Sequence, residues 1–282
     1  MMLRRRNIGF SIMVAGPKGI GKSSFINTLF NREIVQVQKK SNENLDLNLY
    51  ILEIDCEGVR KKVTVVDTPG FGTTLDDSGT QENILSYIRT QFNMFLAEET
   101  KVKRNRDFED TRVHALLYFI KASPHGLKKT ELAFLKKVNG LVNIIPVIGK
   151  ADGMAVDEME SIRSRILDQM KTCNIEIFDI LKDELINQSL NWVNLISKFP
   201  FSVICDDKID GEENTVRGRK YRWGNVETDN QEHCEFSLLK EILMSSHMDA
   251  LIETTVNDLY ERYRTKVLSE ILPKADLNNK VI

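Results

Sequence analysis

Gly16-Pro17-Lys18-Gly19-Ile20-Gly21-Lys22-Ser23 decides the fold. These residues match the pattern GxxxxGK[ST], a glycine loop that cradles phosphate when a strand precedes it and a helix follows. Upstream, Ile8 to Ala15 is a short apolar run that ends in glycine, which predicts a buried strand. Downstream, residues 21–31 carry helix formers with Phe25, Ile26, Leu29 and Phe30 on one side, which predicts a helix. In that context the glycines turn backbone N–H groups towards phosphate oxygens, and the helix N-terminus adds its positive dipole. Lys22 is expected to reach the β- and γ-phosphates, and Ser23 to offer its hydroxyl to Mg²⁺.

Working outward, residues 31–48 are polar and irregular and read as a loop. Residues 47–55 and 62–67 flank Glu57-Gly58 and read as an antiparallel hairpin. A helix is predicted near 80–97, a strand over Val113 to Lys121 and a helix over 128–138. A strand over Val142 to Gly149 and helices over 155–172 and 176–197 follow, the last with Trp192 on its apolar side. Phe199 to Cys205 closes the series as a strand. Alternating β and α elements with one hairpin predict a three-layer α/β domain, its sheet mostly parallel with one antiparallel strand. Residues 206–230 are a polar excursion, and 235–268 read as one or two helices, giving a small α+β extension.

Composition is that of an ordinary globular protein, 41% hydrophobic and 28% charged. A net charge of −2 gives no global field for nucleic acid, and no such partner is expected. Cys56, Cys173, Cys205 and Cys234 are far apart with no CxxC pair, which argues against a zinc site or disulfide framework and suits the cytoplasm. No signal peptide, membrane span or sustained heptad pattern is read.

Two further motifs follow in chain order. Asp67-Thr68-Pro69-Gly70 ends a predicted strand. An Asp there can hold Mg²⁺ through water, and the Gly70 N–H can meet a γ-phosphate. Gly149-Lys150-Ala151-Asp152 follows the Val142–Ile148 strand, where guanine-nucleotide proteins carry [NT]KxD. The Asp152 carboxylate can accept from guanine N1–H and the 2-amino group, a donor pair that adenine lacks, while the Lys150 stem packs along the base. His114 and His247 read as locally satisfied histidines, and Met154, Met159 and Met170 as packing residues.

These motifs and their surroundings resemble septins. The resemblance runs through GFSIMVAG, KSSFINTLF, TVVDTPGFG, VNIIPVIGKAD and HGLK at 125–128. It is most specific in VRGRKYRWG at 216–224, EHCEF at 232–236, SHMDAL at 246–251 and YERYR at 260–264, which resemble the septin unique element. It implies a P-loop GTPase core over 8–205, the unique element over 206–268, a basic segment at 1–7 and a short tail at 269–282. It implies GTP or GDP with Mg²⁺ as cofactors, Ser23 and Asp67 (via water) serving the metal. Gly16 to Ser23, Ser24 and Gly70 would bind phosphates; Lys150, Asp152, Glu158, Cys205 and Arg219 would surround base and ribose. His125, Arg219 and Trp223 would belong to a nucleotide-side interface with another septin, in a homodimer or a hetero-oligomer. The helix around 247–266 would belong to the alternate interface. Filaments at the cell cortex and division site, scaffolding cytokinesis, are the implied setting. Arg4-Arg5-Arg6 stands where septins carry a stretch that binds anionic phosphoinositides.

Departures from the family pattern carry expectations too. GKAD replaces AKAD, and Gly149 is small enough to do little harm. Cys205 stands where a glycine usually lies beside the base, and Thr73 follows DTPGFG in place of Asp. Active septins have a threonine in the 31–48 loop that helps bind Mg²⁺ and position water. Counting back from Asp67, Asn44 occupies that place, and no threonine lies between Thr28 and Thr64. The catalytic group is therefore unknown, and slow or absent hydrolysis is expected, with GTP structural. The alternative is a hydrolysing switch GTPase with effector partners.

Overall fold

The computed structural model describes residues 9–35, 47–56, 59–72, 77–103, 105, 108–180, 198–205, 217–222 and 224–271. Its frame is a six-stranded sheet. In chain order the first elements are β1 (Phe10–Ala15), α1 (Lys22–Phe30), β2 (Asn48–Cys56), β3 (Val59–Asp67) and α2 (Ser78–Glu99). Next come β4 (Ala115–Lys121), α3 (Lys129–Val138), β5 (Asn143–Gly149), α4 (Val156–Thr172) and β6 (Phe201–Val203). The strand order is β2-β3-β1-β4-β5-β6, and every pairing is parallel except β2 with β3. The expected α/β class and its single antiparallel strand are therefore present.

β1 and β5 are buried along their whole length, as strands covered on both faces must be. Adjacent residues of β4 show the two layers, because successive side chains point to opposite faces. Phe119 packs its ring 5.2 Å from Phe25 of α1, which in turn lies 5.8 Å from Phe236. Tyr118, on the other face, stacks 5.8 Å from Phe134 of α3.

Beyond β6 the chain forms a hairpin, β7 (Gly218–Tyr221) with β8 (Gly224–Glu227), then α5 (Phe236–Glu241), α6 (Met248–Thr254) and α7 (Tyr260–Ile271). The one or two helices expected over 235–268 are thus three α-helical stretches, separated by π-turns at Ile242–Ser246 and Thr255–Leu259. The second π-turn has an identifiable cause. The buried Asn143 amide donates to Leu251 O at 3.0 Å and to His114 O at 2.7 Å, and Thr255 Oγ1 also donates to Leu251 O at 2.8 Å. Side chains inserted into the helical ladder widen it. Phe236, Leu239 and Leu243 join the same hydrophobic core as the sheet, so the extension is not packed separately.

A smaller cluster joins α2 to α7 through Phe92, Leu96, Leu259 and Tyr260. Arg112, 2% exposed, lies 3.7 Å over the Phe95 ring and is bonded twice by Asp110, whose carboxyl stays below its usual range despite burial because Arg112 and its hydrogen bonds favour the charged form.

One element differs from the sequence reading. Residues 175–179 are not helical. Asn174 takes a left-handed conformation (φ 53°), which stops α4. Phe178 N–H then donates to Ile144 O at 2.9 Å, drawing the segment along the sheet. Residues 181–197, with Trp192, lie outside the described residues. The final strand is also shorter than Phe199–Cys205, covering Phe201–Val203.

Candidate functional site

The glycine loop is held open by the segment after β3. Lys18 N–H donates to Phe71 O at 2.9 Å and Phe71 N–H to Gly16 O at 3.1 Å. Thr68 Oγ1 anchors that segment to Val14 O at 2.9 Å. The contact requires glycine at 70, where a Cβ would lie 2.4 Å from Lys18 Cα. At the other end Gly21, φ 108°, turns the chain into α1 through a conformation other residues rarely adopt.

Lys22 is 7% exposed, with Nζ donating to Gly16 O at 2.9 Å and Pro17 O at 3.0 Å. Burial lowers its pKa to about 8, opposed by the Asp67 charge. Asp67 is equally buried, and burial raises its pKa although Lys22, Ser23 and Thr68 pull the other way. Ser23 Oγ donates to Asp67 Oδ2 at 3.5 Å, while Asp67 Oδ1 has no partner among the described residues. A buried ammonium beside a carboxylate with an unused oxygen and a hydroxyl is a site short of charge partners. Phosphate for Lys22 and a divalent cation near Ser23 and Asp67 would fit it.

About the base loop, Lys150 sits in a left-handed conformation (φ 57°) and leads into a short turn at Ala151–Gly153. Asp152 Oδ2 accepts from Arg219 Nη1 at 3.4 Å and from the Tyr221 hydroxyl, while Oδ1 is buried with no partner among the described residues. Arg219 Nε also donates to Cys205 O at 2.8 Å. The fold thus brings Asp152, Cys205 and Arg219 together, and Cys205 contributes through its backbone carbonyl. The free oxygen of Asp152 fits the donor pair of guanine.

Gly149 links the two ends of the site. A Cβ there would meet Ile20 Cγ1 and O at 2.9 Å, so its small size is required against the glycine loop. The expectation that this glycine simply substitutes for alanine needs that refinement. Glu158 lies in the first turn of α4, where its carboxylate accepts from Ala155 N–H at 3.2 Å, and no hydrogen bond among the described residues joins it to Asp152. His125 is exposed on the loop after β4. Asn44, Thr73, Trp223 and Arg4 to Arg6 lie outside the described residues.

Sequence reading missed Tyr221, whose lysine- and arginine-flanked position looks like a solvated hairpin edge. It also missed Arg217, which donates to Thr28 O at 3.0 Å at the C-terminal end of α1, where positive charge is favoured. His247 behaves as read, bridging Ser246 and Ile180 O, whereas His114 is satisfied at one nitrogen only: Nδ1 accepts from Ser11 N–H at 2.9 Å, and the buried Nε2 has no partner among the described residues. Burial lowers the His114 pKa to about 4, which keeps it neutral. Met159 and Met170 are buried. Cys173, Cys205 and Cys234 form no disulfide among the described residues. No described helix is long and apolar enough to cross a membrane.

Comparison with known proteins places this geometry. The family model described as Septin matches residues 6–276. This chain belongs to the septin family. Cell division control protein 11 of Encephalitozoon cuniculi is 46% identical over 268 residues, covering 95% of this chain and 98% of that protein. The crystal structure of Cdc11 from Saccharomyces cerevisiae is 30% identical with a TM-score of 0.61, covering 92% of this septin and all of that chain. The septin GTPase domain of Chlamydomonas reinhardtii shares the fold, with a TM-score of 0.70 at 22% identity, over 91% of this septin and 98% of that chain. As a septin the chain is a guanine-nucleotide-binding P-loop protein.

Proposed function

We propose that this septin subunit holds GTP as a lasting structural part of the folded chain and hydrolyses it slowly or not at all. Family membership makes it a subunit for filament assembly and cytokinesis. The observation that carries the nucleotide reading is a pair of buried carboxylate oxygens with no hydrogen-bond partner among the described residues, Asp67 Oδ1 at the phosphate end and Asp152 Oδ1 at the base end. Buried polar atoms without partners are rare in folded proteins, and each of these suits a different part of one nucleotide.

In this reading Gly16 to Ser24, with Gly70, surround the phosphates, and Lys22 supplies the charge. Ser23 and, through water, Asp67 would hold Mg²⁺, which would supply neutralisation of the phosphate charge. Asp152 accepts from the guanine, with Arg219 and Tyr221 holding its second oxygen. Lys150, Glu158 and Cys205 complete the base and ribose surroundings. The core over 8–205 carries the phosphates, and the extension over 206–268 completes the base end. His125, Arg219 and Trp223 face another septin across the nucleotide, in homo- or hetero-oligomers at the cytoplasmic face of the cell cortex. Arg4 to Arg6 contact anionic phosphoinositides there; a few arginines give about 1 kcal/mol each and act through repetition along a filament.

The test is the nucleotide content of freshly purified protein, released by denaturation and separated. Mostly GTP supports the retained structural nucleotide. Mostly GDP means that the chain hydrolyses despite Asn44 and overturns that part of the reading.

A further inference from the structure

The loop carrying His125 is fastened from outside by one face of α4. Within the loop, Gly126 N–H donates to Ser123 O at 3.0 Å and His125 N–H to Ser123 Oγ at 3.3 Å, which forms the turn. The other fastenings come from residues 165 and 169, four apart and so on the same side of the helix. Gln169 uses both ends of its amide: Nε2 donates to His125 O at 3.1 Å, and Oε1 accepts from Leu127 N–H at 2.8 Å. Arg165 Nη1 donates to Pro124 O at 2.5 Å. Gly126 is needed beneath them, since its φ is 69° and a Cβ would lie 2.3 Å from Gln169 Oε1. The Pro124 and His125 carbonyls and the Leu127 amide are thereby fixed on either side of the turn, while His125 itself stays exposed.

Burial does not force these bonds. A groove of about 670 Å³, lined by Leu132, Ser164, Arg165, Asp168, Gln169 and Thr172, opens beside the clamp. Water there can satisfy the Gln169 amide, so its aim at the loop reflects geometry. α4 also begins directly after the Lys150–Asp152 turn, so one rigid element joins the base loop of a subunit to its His125 loop.

We propose that Gln169 and Arg165 are positioning residues that hold His125 ready for the nucleotide of a neighbouring subunit. This rests on the nucleotide-side interface described under Proposed function. A loop ordered before contact loses less freedom on association, which strengthens assembly without a new contact.

The experiment loads the full chain with N-methylanthraniloyl-GDP and follows release after a chase of GDP, over a series of protein concentrations. The interface reading expects release to slow as subunits associate. Gln169→Met with Arg165→Met keeps the stems and removes the hydrogen bonds. We expect the protein concentration at half-slowing to rise about tenfold, the scale of one or two lost hydrogen bonds. The release rate at the dilute limit stays unchanged, which a general loss of structure would not allow. His125→Ala should give a similar rise, and adding it to the double variant should add little. If His125→Ala raises the midpoint and the clamp variants do not, the positioning role is wrong and the interface reading stands. If wild-type release ignores concentration, or His125→Ala has no effect, the interface reading falls and takes the clamp with it.

Discussion

Lys22→Met probes the electrostatics of the phosphate loop through its pH dependence. The Lys22 pKa is lowered from 10.5 to about 8, first by burial, with Asp67 opposing. At about 1.4 kcal/mol per pH unit, holding that proton at neutral pH costs the folded state about 3 kcal/mol. Below pH 8 both folded and unfolded chains keep the proton, so the cost is fully present. Between about 8 and 10.5 the folded chain has released it while the unfolded chain still binds it, so stability rises with pH. Met fills the same space without a titrating group, and the bonds lost to Gly16 O and Pro17 O become a pH-independent offset. The assay is urea unfolding of nucleotide-stripped wild type and variant from pH 7 to 10.5, followed by circular dichroism. The wild type should gain on the variant by up to about 3 kcal/mol across that window. With GDP and Mg²⁺ bound, phosphate charge favours the ammonium and the gain should vanish. Parallel curves in the nucleotide-free state would refute the reasoning, because they would mean that Lys22 is hydrated and not buried.

Asp152→Asn replaces an acceptor with an amide, and GDP affinity should fall by about 1.5–3 kcal/mol while xanthosine diphosphate, with an acceptor at the 2-position, gains relative to it; equal weakening of both in a competition assay would remove Asp152 from base recognition. Gly149→Ala places a Cβ 2.9 Å from Ile20. Overpacking of that kind costs about 1–3 kcal/mol and should lower the melting temperature by several degrees; an unchanged melting curve would show that the glycine loop yields freely. Glu235→Gln unpairs Arg163, whose Nη2 lies 2.6 Å from Glu235 Oε2 with both side chains nearly buried. Breaking such a pair costs about 3–5 kcal/mol, whereas Arg163→Met with Glu235→Met should cost far less than the sum of the single variants in urea unfolding, and simple additivity would contradict the coupling.

The two ends of the site differ in how far they can be read from sequence, and the difference is physical. The phosphate end is contiguous. Gly16 to Ser23 fix their own backbone, and the flanking strand and helix are short segments whose burial shows as local apolar runs. β4 and β5 are legible for the same reason, being covered on both faces. The base end is assembled from three separate segments. Asp152 is legible locally, as the Asp of a KxD motif after an apolar strand, whereas Cys205 and Arg219 are recoverable only through family resemblance, and Tyr221 not at all, since its partner Asp152 is 69 residues away. Residues 175–179 failed similarly, because a single left-handed Asn174 and a bond to Ile144 override helix-like composition. The Arg163–Glu235–Ser202 network is equally invisible, being three polar side chains that only the folded chain brings to one point. Glu235 accepts from Ser202 N–H at 2.8 Å and so ties α5 to the edge strand that leads to Cys205. Arg217 ties the hairpin to the end of α1. Damage to the extension should therefore reach base recognition before phosphate binding: its charge partners hold the Asp152 side of the site, while the glycine loop keeps its shape through Phe71 and Thr68 within the core.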